Sequence, residues 1–227
     1  MTKEEYLNKS NAILISLKNT IESFYTLYNS LDDDKENQKQ DLLRAIILFS
    51  CSGIDSIVKQ LVNDTLDYVI EHDEGAFNQF KNYTEKKLIL KNEAGINSKL
   101  FAELFTCGNP KQTLIDVLKK DLTSNSLQSA DELLKVGSVF NIGTANLVNG
   151  KEEHEKLRRV FIVRNQITHE MDVDMTALDF KMRDRTYEEI NDYSEFIIKF
   201  IEKFIELISE KLDDTSEVDE FEQIVSL

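Results

Sequence analysis

The chain has 227 residues and a net charge of −15, and 41% of its residues are hydrophobic, including 13 Phe and 7 Tyr. This is enough apolar material for the core of one large domain, and the acidic balance argues against broad, charge-driven binding to nucleic acid. One Pro and seven Gly are too few for the many turns of an all-β fold, so the composition favours long helices.

The sequence offers no export or membrane signal, and we therefore expect a cytoplasmic protein. No uninterrupted apolar run reaches the roughly 18 residues that span a bilayer. The N-terminal residues MTKEEYLNKSNAIL lack the cationic start and apolar core of a secretory signal. Cys51 and Cys107 are the only cysteines, and we expect both to be free thiols in a reducing compartment.

The negative charge is unevenly distributed. Residues 151–185 contain eight Lys or Arg and eight Asp or Glu, so the remaining 19 basic and 34 acidic residues carry the whole −15. A phosphate-bearing ligand would be repelled least near this neutral segment.

Three helical regions are predicted in the first part of the chain, over 3–31, 39–63 and 66–90, the third broken near Gly75. The second has an apolar stripe that one carboxylate interrupts; its members are Leu48, Cys51, Asp55, Val58 and Val62. Asp55 either forms a partly buried pair with Arg164, belongs with it to one site, or reaches solvent from the shoulder of a wide stripe.

The middle of the chain has the weakest periodicity. Shorter helices are predicted over 97–105, 111–120 and 129–140, and Ser129 with Glu132 has the spacing of a capping box. We interpret 92–148 as an irregular helical insertion within a single all-helical domain that covers 1–212. Residues 213–227 are predicted to be an acidic, mobile tail.

A long amphipathic helix is predicted near the C-terminus. A loop begins at the acidic residues 172–174, and Thr186 with Glu189 forms a second capping box that opens this helix. Its apolar face comprises Ile190, Tyr193, Ile197, Phe200, Ile201, Phe204, Ile205 and Ile208.

The helix before that loop carries the most informative residues, in the stretch 157–171, LRRVFIVRNQITHEM. Its buried stripe is predicted to be Leu157, Val160, Ile167 and Met171, and Arg164 stands where a further apolar residue is expected. A guanidinium in an apolar seam is costly unless it is paired or serves a site. Asn165 and His169 are four apart and share a helical face.

This pattern resembles the Arg-x4-6-His motif of the HEPN superfamily, with Asn165 directly after Arg164 and His169 closing the motif. The layout is similar too, because a long helix, DLLRAIILFSCSGIDSIVKQLVND, precedes an irregular middle and a helix ending in RNQITHE. HEPN domains of the toxin and RiboL-PSP kind share this arrangement. Some HEPN toxins carry a tyrosine two residues after the histidine, where this chain has Met171.

The residues suit RNA cleavage by the 2′-hydroxyl. The imidazole of His169 can act as base or acid near neutrality, and Arg164 offers a planar fork for phosphate oxygens. Asn165 is a candidate for orienting the phosphate or the imidazole, and Thr168 and Asp55 are possible supporting residues. We expect no metal and no cofactor, since the three histidines are far apart in sequence.

The resemblance implies an all-α helical bundle that forms a homodimer, with the motif helices lining a shared cleft. It also implies a metal-independent endoribonuclease of a toxin–antitoxin or phage-defence system, with RNA as substrate and an antitoxin or other defence protein as a possible partner. Alternatives remain: Arg164 and His169 serve structure alone, or the protein is a non-catalytic helical module that binds a partner protein or a nucleotide.

Overall fold

The computed structural model describes residues 2–88, 97–127 and 129–213. Within them the chain forms nine α-helices and one 3-10 helix, Asp33–Lys35, which confirms the all-α fold class. The α-helices are α1 (Lys3–Ser30), α2 (Glu36–His72), α3 (Glu74–Leu88), α4 (Ser98–Thr106), α5 (Pro110–Thr123), α6 (Ala130–Val139), α7 (Thr144–Leu147), α8 (Gly150–Glu170) and α9 (Tyr187–Asp213). The predicted acidic tail lies outside the described residues from 214 onward.

The helix α2 is the centre of the bundle, and α1, α3, α5, α8 and α9 all pack against it. Its apolar residues recur at helical spacing over about eight turns, and most of those from Leu43 to Ile70 are buried. A Cβ at Gly53 would collide with the side chain of Leu17, so the glycine permits the close approach of α1. The burial of this one helix therefore organises the core.

The same helix is long and apolar enough to pass a test for membrane spans, with a window of mean hydropathy 1.5. Just over half of that window, 56%, is buried inside the fold. The apolar residues of α2 are thus used for packing against other helices, which is consistent with a soluble protein.

The boundary between the second and third predicted helices lies later than expected. The helix α2 continues through residues 63–66 to His72, where the buried side chains of Leu61 and Leu66 keep it packed in the core. Asp73 then adopts an extended conformation, and its Oδ1 accepts a hydrogen bond from Ala76 N at 2.7 Å. The break is therefore produced by a capping carboxylate rather than by Gly75.

The middle region folds back onto α2 and α3. In α5, Lys119 Nζ donates to Asn63 O of α2 at 2.9 Å and pairs with Asp67. The helix α6 packs against α3 and α8, and Ser129 Oγ accepts from Glu132 N at 3.2 Å at its start, as the capping spacing predicted. Residues 92–96 and 128 of this region lie outside the described residues.

The last helix confirms its predicted face. Thr186 Oγ1 accepts from Glu189 N at 3.2 Å before the first turn of α9. The predicted apolar residues are all buried and pack toward α1 and α2: Ile190, Tyr193, Ile197, Phe200, Ile201, Phe204, Ile205 and Ile208.

Candidate functional site

The helix α8 carries four of the five candidate residues and packs against α2, α6 and α9. Leu157, Val160 and Ile167 are buried, as the stripe predicted. Met171 was wrongly assigned to that stripe, because its side chain is 72% exposed. The helix ends at Glu170, and Met171 has a left-handed conformation (φ 53°) that terminates it.

Arg164 is half-buried at the position where the stripe predicted an apolar residue. Its Nη1 donates a hydrogen bond to Asn165 Oδ1 at 2.9 Å, so the two motif residues are in direct contact. Among the residues that the structure describes, Arg164 forms no ion pair. Its charge is therefore held beside the core without a carboxylate, and this leaves it available to an anionic ligand.

The guanidinium of Arg164 also affects Cys51 on α2. Burial raises the pKa of the Cys51 thiol to about 12, and the positive charge of Arg164 opposes this rise. The arginine therefore faces α2 near Cys51, one helical turn before Asp55.

His169 lies in the last turn of α8 and is exposed. None of the hydrogen bonds or ion pairs formed among the described residues engages its ring. Thr168, also exposed, donates its hydroxyl to Arg164 O at 2.5 Å, which is a backbone contact within the helix. The imidazole is thus free to meet a ligand, whereas the threonine hydroxyl is already engaged.

Arg164 and His169 point in different directions. Residues five apart on a helix diverge by about 140°, and the burial agrees: Arg164 is half-buried toward α2, whereas His169 is exposed. Within one copy of the chain, this divergence places the two side chains on different sides of α8.

Asp55 does not pair with Arg164. Its Oδ2 accepts from Lys59 Nζ at 2.9 Å, and its Oδ1 accepts from Leu127 N at 2.7 Å. The carboxylate therefore connects α2 to the segment before α6, and this excludes the first of the three interpretations given above. Its membership of the site stays a prediction.

A second polar cluster lies just beyond His169, and the sequence interpretation missed it. Asp172, one of the acidic residues at which the loop was predicted to begin, is fully buried. Its Oδ2 accepts from Arg44 Nε at 2.9 Å and from Arg185 Nε at 3.1 Å, and its Oδ1 pairs with Arg185 Nη2. Gln166 on α8 accepts a further bond from Arg185 Nη2 at 2.8 Å. We call these four residues the Asp172 cluster.

The Asp172 cluster connects three parts of the chain. Arg44 comes from α2, Gln166 from α8, and Asp172 and Arg185 from the two ends of the loop between α8 and α9. Its arginines also anchor backbone: Arg44 Nη2 donates to Arg183 O at 3.0 Å. The exit of α8, three residues after His169, is therefore held to the central helix. One signal was available, because Arg44 extends the Leu48, Cys51, Asp55 stripe by one turn toward the N-terminus.

The described residues contain no group of three or more His, Cys, Asp or Glu side chains arranged to hold a metal ion. The candidate site thus consists of Arg164 with Asn165 on one side of α8 and His169 at its exposed end.

Comparison with protein families gives one match. The family model described as RiboL-PSP-HEPN matches residues 12–210. No curated protein and no solved structure matches this chain. The matched span begins within α1 and ends within α9, and it includes every candidate site residue.

Proposed function

This chain belongs to the RiboL-PSP-HEPN family, and from that premise we propose that it is a metal-independent endoribonuclease. The observation that carries the proposal is the pairing of Arg164 with Asn165 beside the core, on the helix that ends in the exposed His169. No carboxylate within 2–88, 97–127 or 129–213 pairs with Arg164. A guanidinium can balance the charge that develops on a phosphate, and an accessible imidazole can transfer a proton, so both groups suit metal-free phosphodiester cleavage.

The reaction uses the nucleophile that RNA itself carries. The imidazole of His169 removes the proton of a 2′-hydroxyl, whose oxygen attacks the adjacent phosphorus. Arg164 balances the negative charge that grows on the non-bridging oxygens, and the amide of Asn165 orients the guanidinium that it accepts from. The bond to the 5′-oxygen breaks when that oxygen gains a proton, which leaves a 2′,3′-cyclic phosphate and a 5′-hydroxyl.

A second copy of the chain solves the geometric difficulty. One imidazole does not readily supply both proton transfers, and Arg164 and His169 diverge by about 140° on their helix. Across a two-fold axis, the arginine of one protomer lies opposite the histidine of the other, and two imidazoles are available. We therefore include a homodimer with a shared cleft in the proposal, in a cytoplasmic setting of toxin–antitoxin or phage defence.

The test is RNA cleavage in EDTA by wild type, His169→Ala and Arg164→Ala. Loss of a general acid–base group lowers the rate by about 10² to 10⁴, and loss of a group that stabilises transition-state charge lowers it by about 10² to 10³. Both variants are therefore expected to fall at least about 100-fold. Matched controls lie on the same helix: His154→Ala and Arg158→Ala remove the same residue types from its N-terminal half. Cleavage that survives both motif substitutions, or that needs a metal, would refute the proposal.

Two further arms test the mechanism. A substrate with a single 2′-deoxy sugar at the cleavage site is expected to resist cleavage there, because the nucleophile is missing. Co-expressed and co-purified heterodimers of wild type with His169→Ala are expected to be as slow as the His169→Ala homodimer, since the shared cleft then lacks one of its two imidazoles. Heterodimers that keep half of the wild-type activity would show that each protomer acts alone and would contradict the shared cleft.

A further inference from the structure

The loop that directly follows His169 displays an unusual share of apolar side chains. In the described part of the chain, 12 large hydrophobic residues are exposed, and five of them lie within residues 171–182. Their exposed fractions run from 47% to 101%: Met171, Met175, Leu178, Phe180 and Met182. Single exposed hydrophobic residues are ordinary, whereas five of them concentrated in one 12-residue loop are a candidate interaction surface.

The loop is held in shape by its own polar contacts. Val173 and Met182 form an antiparallel bridge, and Asp174 N donates to Lys181 O at 2.8 Å. Arg183 Nη1 donates to Val173 O at 2.6 Å and to Glu170 Oε2 at 3.0 Å. These contacts and the Asp172 cluster hold the backbone of the loop that carries the apolar side chains. Less backbone entropy is therefore lost when the loop binds a partner.

The charges of this loop favour a protein partner over RNA. Its basic side chains are already engaged: Arg183 with Glu170, Arg185 with Asp172, and Lys181 with Asp179 at 2.9 Å. Nucleic acid is held mainly by free cationic groups on phosphates. Methionine and aromatic residues, in contrast, are enriched at the cores of protein interfaces.

Two observations point to a second copy of this chain as the occupant. Residues 151–185 are electrically neutral, whereas the rest of the chain carries −15, so two copies meet here without the repulsion that other faces would produce. Ile162 is 53% exposed and lies on the same side of α8 as His169, about 10.5 Å away along the axis. An apolar surface thus flanks His169 on both sides.

We propose that the 171–182 loop and Ile162 form the self-association surface of this protein, and that the loop of each protomer packs beside the His169 of the other. This inference rests on the proposed function, which supplies the cleft shared by the two protomers. The interface itself is tested by association of the protomers, without a measurement of activity. In this arrangement the apolar loops border the shared site and exclude water from its rim.

The experiment measures the oligomeric state and RNA cleavage separately. Wild type is compared with Leu178→Asp/Phe180→Asp, which places two charges in the loop, and with Ile15→Asp/Phe105→Asp. The control pair, at 60% and 76%, is also well exposed, compared with 101% and 60% for the loop pair, but it lies on α1 and α4. Sedimentation equilibrium gives the dimer dissociation constant, and circular dichroism checks that each variant is folded. We expect a dimeric wild type, a dimeric control, and a loop variant whose dissociation constant rises at least about 100-fold.

The outcomes separate the two proposals. A monomeric wild type, or a folded loop variant that dimerises as wild type does, would overturn the interface, whatever the cleavage rates. A loop variant that stays dimeric but binds RNA more weakly would also overturn it and assign the loop to the substrate. A monomeric loop variant that cleaves at the wild-type rate would uphold the interface while refuting the shared site of the proposed function.

Discussion

Arg44 Nε lies 2.9 Å from Asp172 Oδ2, and this contact joins residues 128 positions apart in the sequence. Asp172 is fully buried, with Arg185 on its other side. The contact matters for the candidate site, because Asp172 follows His169 by three residues and its backbone N–H donates to Gln166 O at 2.9 Å at the end of α8.

Asp172→Ala is expected to destabilise the protein by about 3–5 kcal/mol, because removal of one member of a buried ionic cluster leaves the others uncompensated. Urea unfolding followed by circular dichroism measures the change. The control is Asp179→Ala in the same loop, whose carboxylate is half-exposed and pairs only with the exposed Lys181; we expect less than about 0.5 kcal/mol there. Equal effects would show that Asp172 is not a buried anchor.

The carboxylate of Asp73 is expected to make stability depend on acid pH. Burial acts to raise its pKa, but hydrogen bonds from the Lys211 ammonium and Ala76 N outweigh burial, so the pKa lies below its usual 3.8. A lowered folded-state pKa stabilises the protein above the unfolded-state value and ceases to do so as pH falls through the folded-state value. Asp73→Asn preserves a good helix cap and is thus expected to cost about 0.5–1 kcal/mol at pH 7.

The pH dependence of that difference is the decisive measurement. Unfolding free energies of wild type and Asp73→Asn should differ by a constant amount above about pH 5 and converge as the pH approaches 3. Lys211→Met should show the same dependence, since it removes the other half of the pair. If the unfolding free energies of wild type and Asp73→Asn still differ by the same amount near the acid limit of the series, the charge of Asp73 contributes nothing to stability.

We expect the hydrogen bond from Leu127 N to the Asp55 carboxylate to stabilise the fold more than the ion pair between Asp55 and Lys59 does. Asp55→Ala removes the acceptor of the buried Leu127 N–H, and an unsatisfied buried donor costs about 1–3 kcal/mol. Lys59→Ala removes only an ion pair four residues apart on one helix, which is worth about 0.3–0.5 kcal/mol. Chemical denaturation of both variants makes the comparison, and a larger loss for Lys59→Ala would reverse the assignment.

The two cysteines are expected to react at very different rates. Burial raises the pKa of Cys51 to about 12, so on the order of 10⁻⁴ of it is thiolate at pH 8, whereas Cys107 is half-buried. Brief treatment of the folded protein with iodoacetamide should alkylate Cys107, as peptide mass spectrometry can show, and unfolding in urea should expose Cys51. Comparable labelling of both thiols in the folded state would contradict the packing of α8 on α2.

The sequence predicted the helices well where local signals are strong. Capping residues such as Ser129 and Thr186 stand before their helices as expected, and the α9 face is buried throughout. The prediction was wrong where a local signal competed with packing. A helix boundary was predicted at residues 63–66, where α2 continues to His72, and Met171 continued an apolar spacing beyond the point where α8 ends.

Local sequence signals were enough to define most of the helices and to place Arg164, Asn165 and His169 on one of them, because helical periodicity and capping act over a few residues. Which polar groups meet depends on how the helices pack. Asp55 bonds to Leu127 rather than Arg164, and Asp172 is buried between Arg44 and Arg185. The sequence around a carboxylate is the same whether the carboxylate faces water or an arginine 128 residues away. Its partner is therefore fixed only when the helices pack.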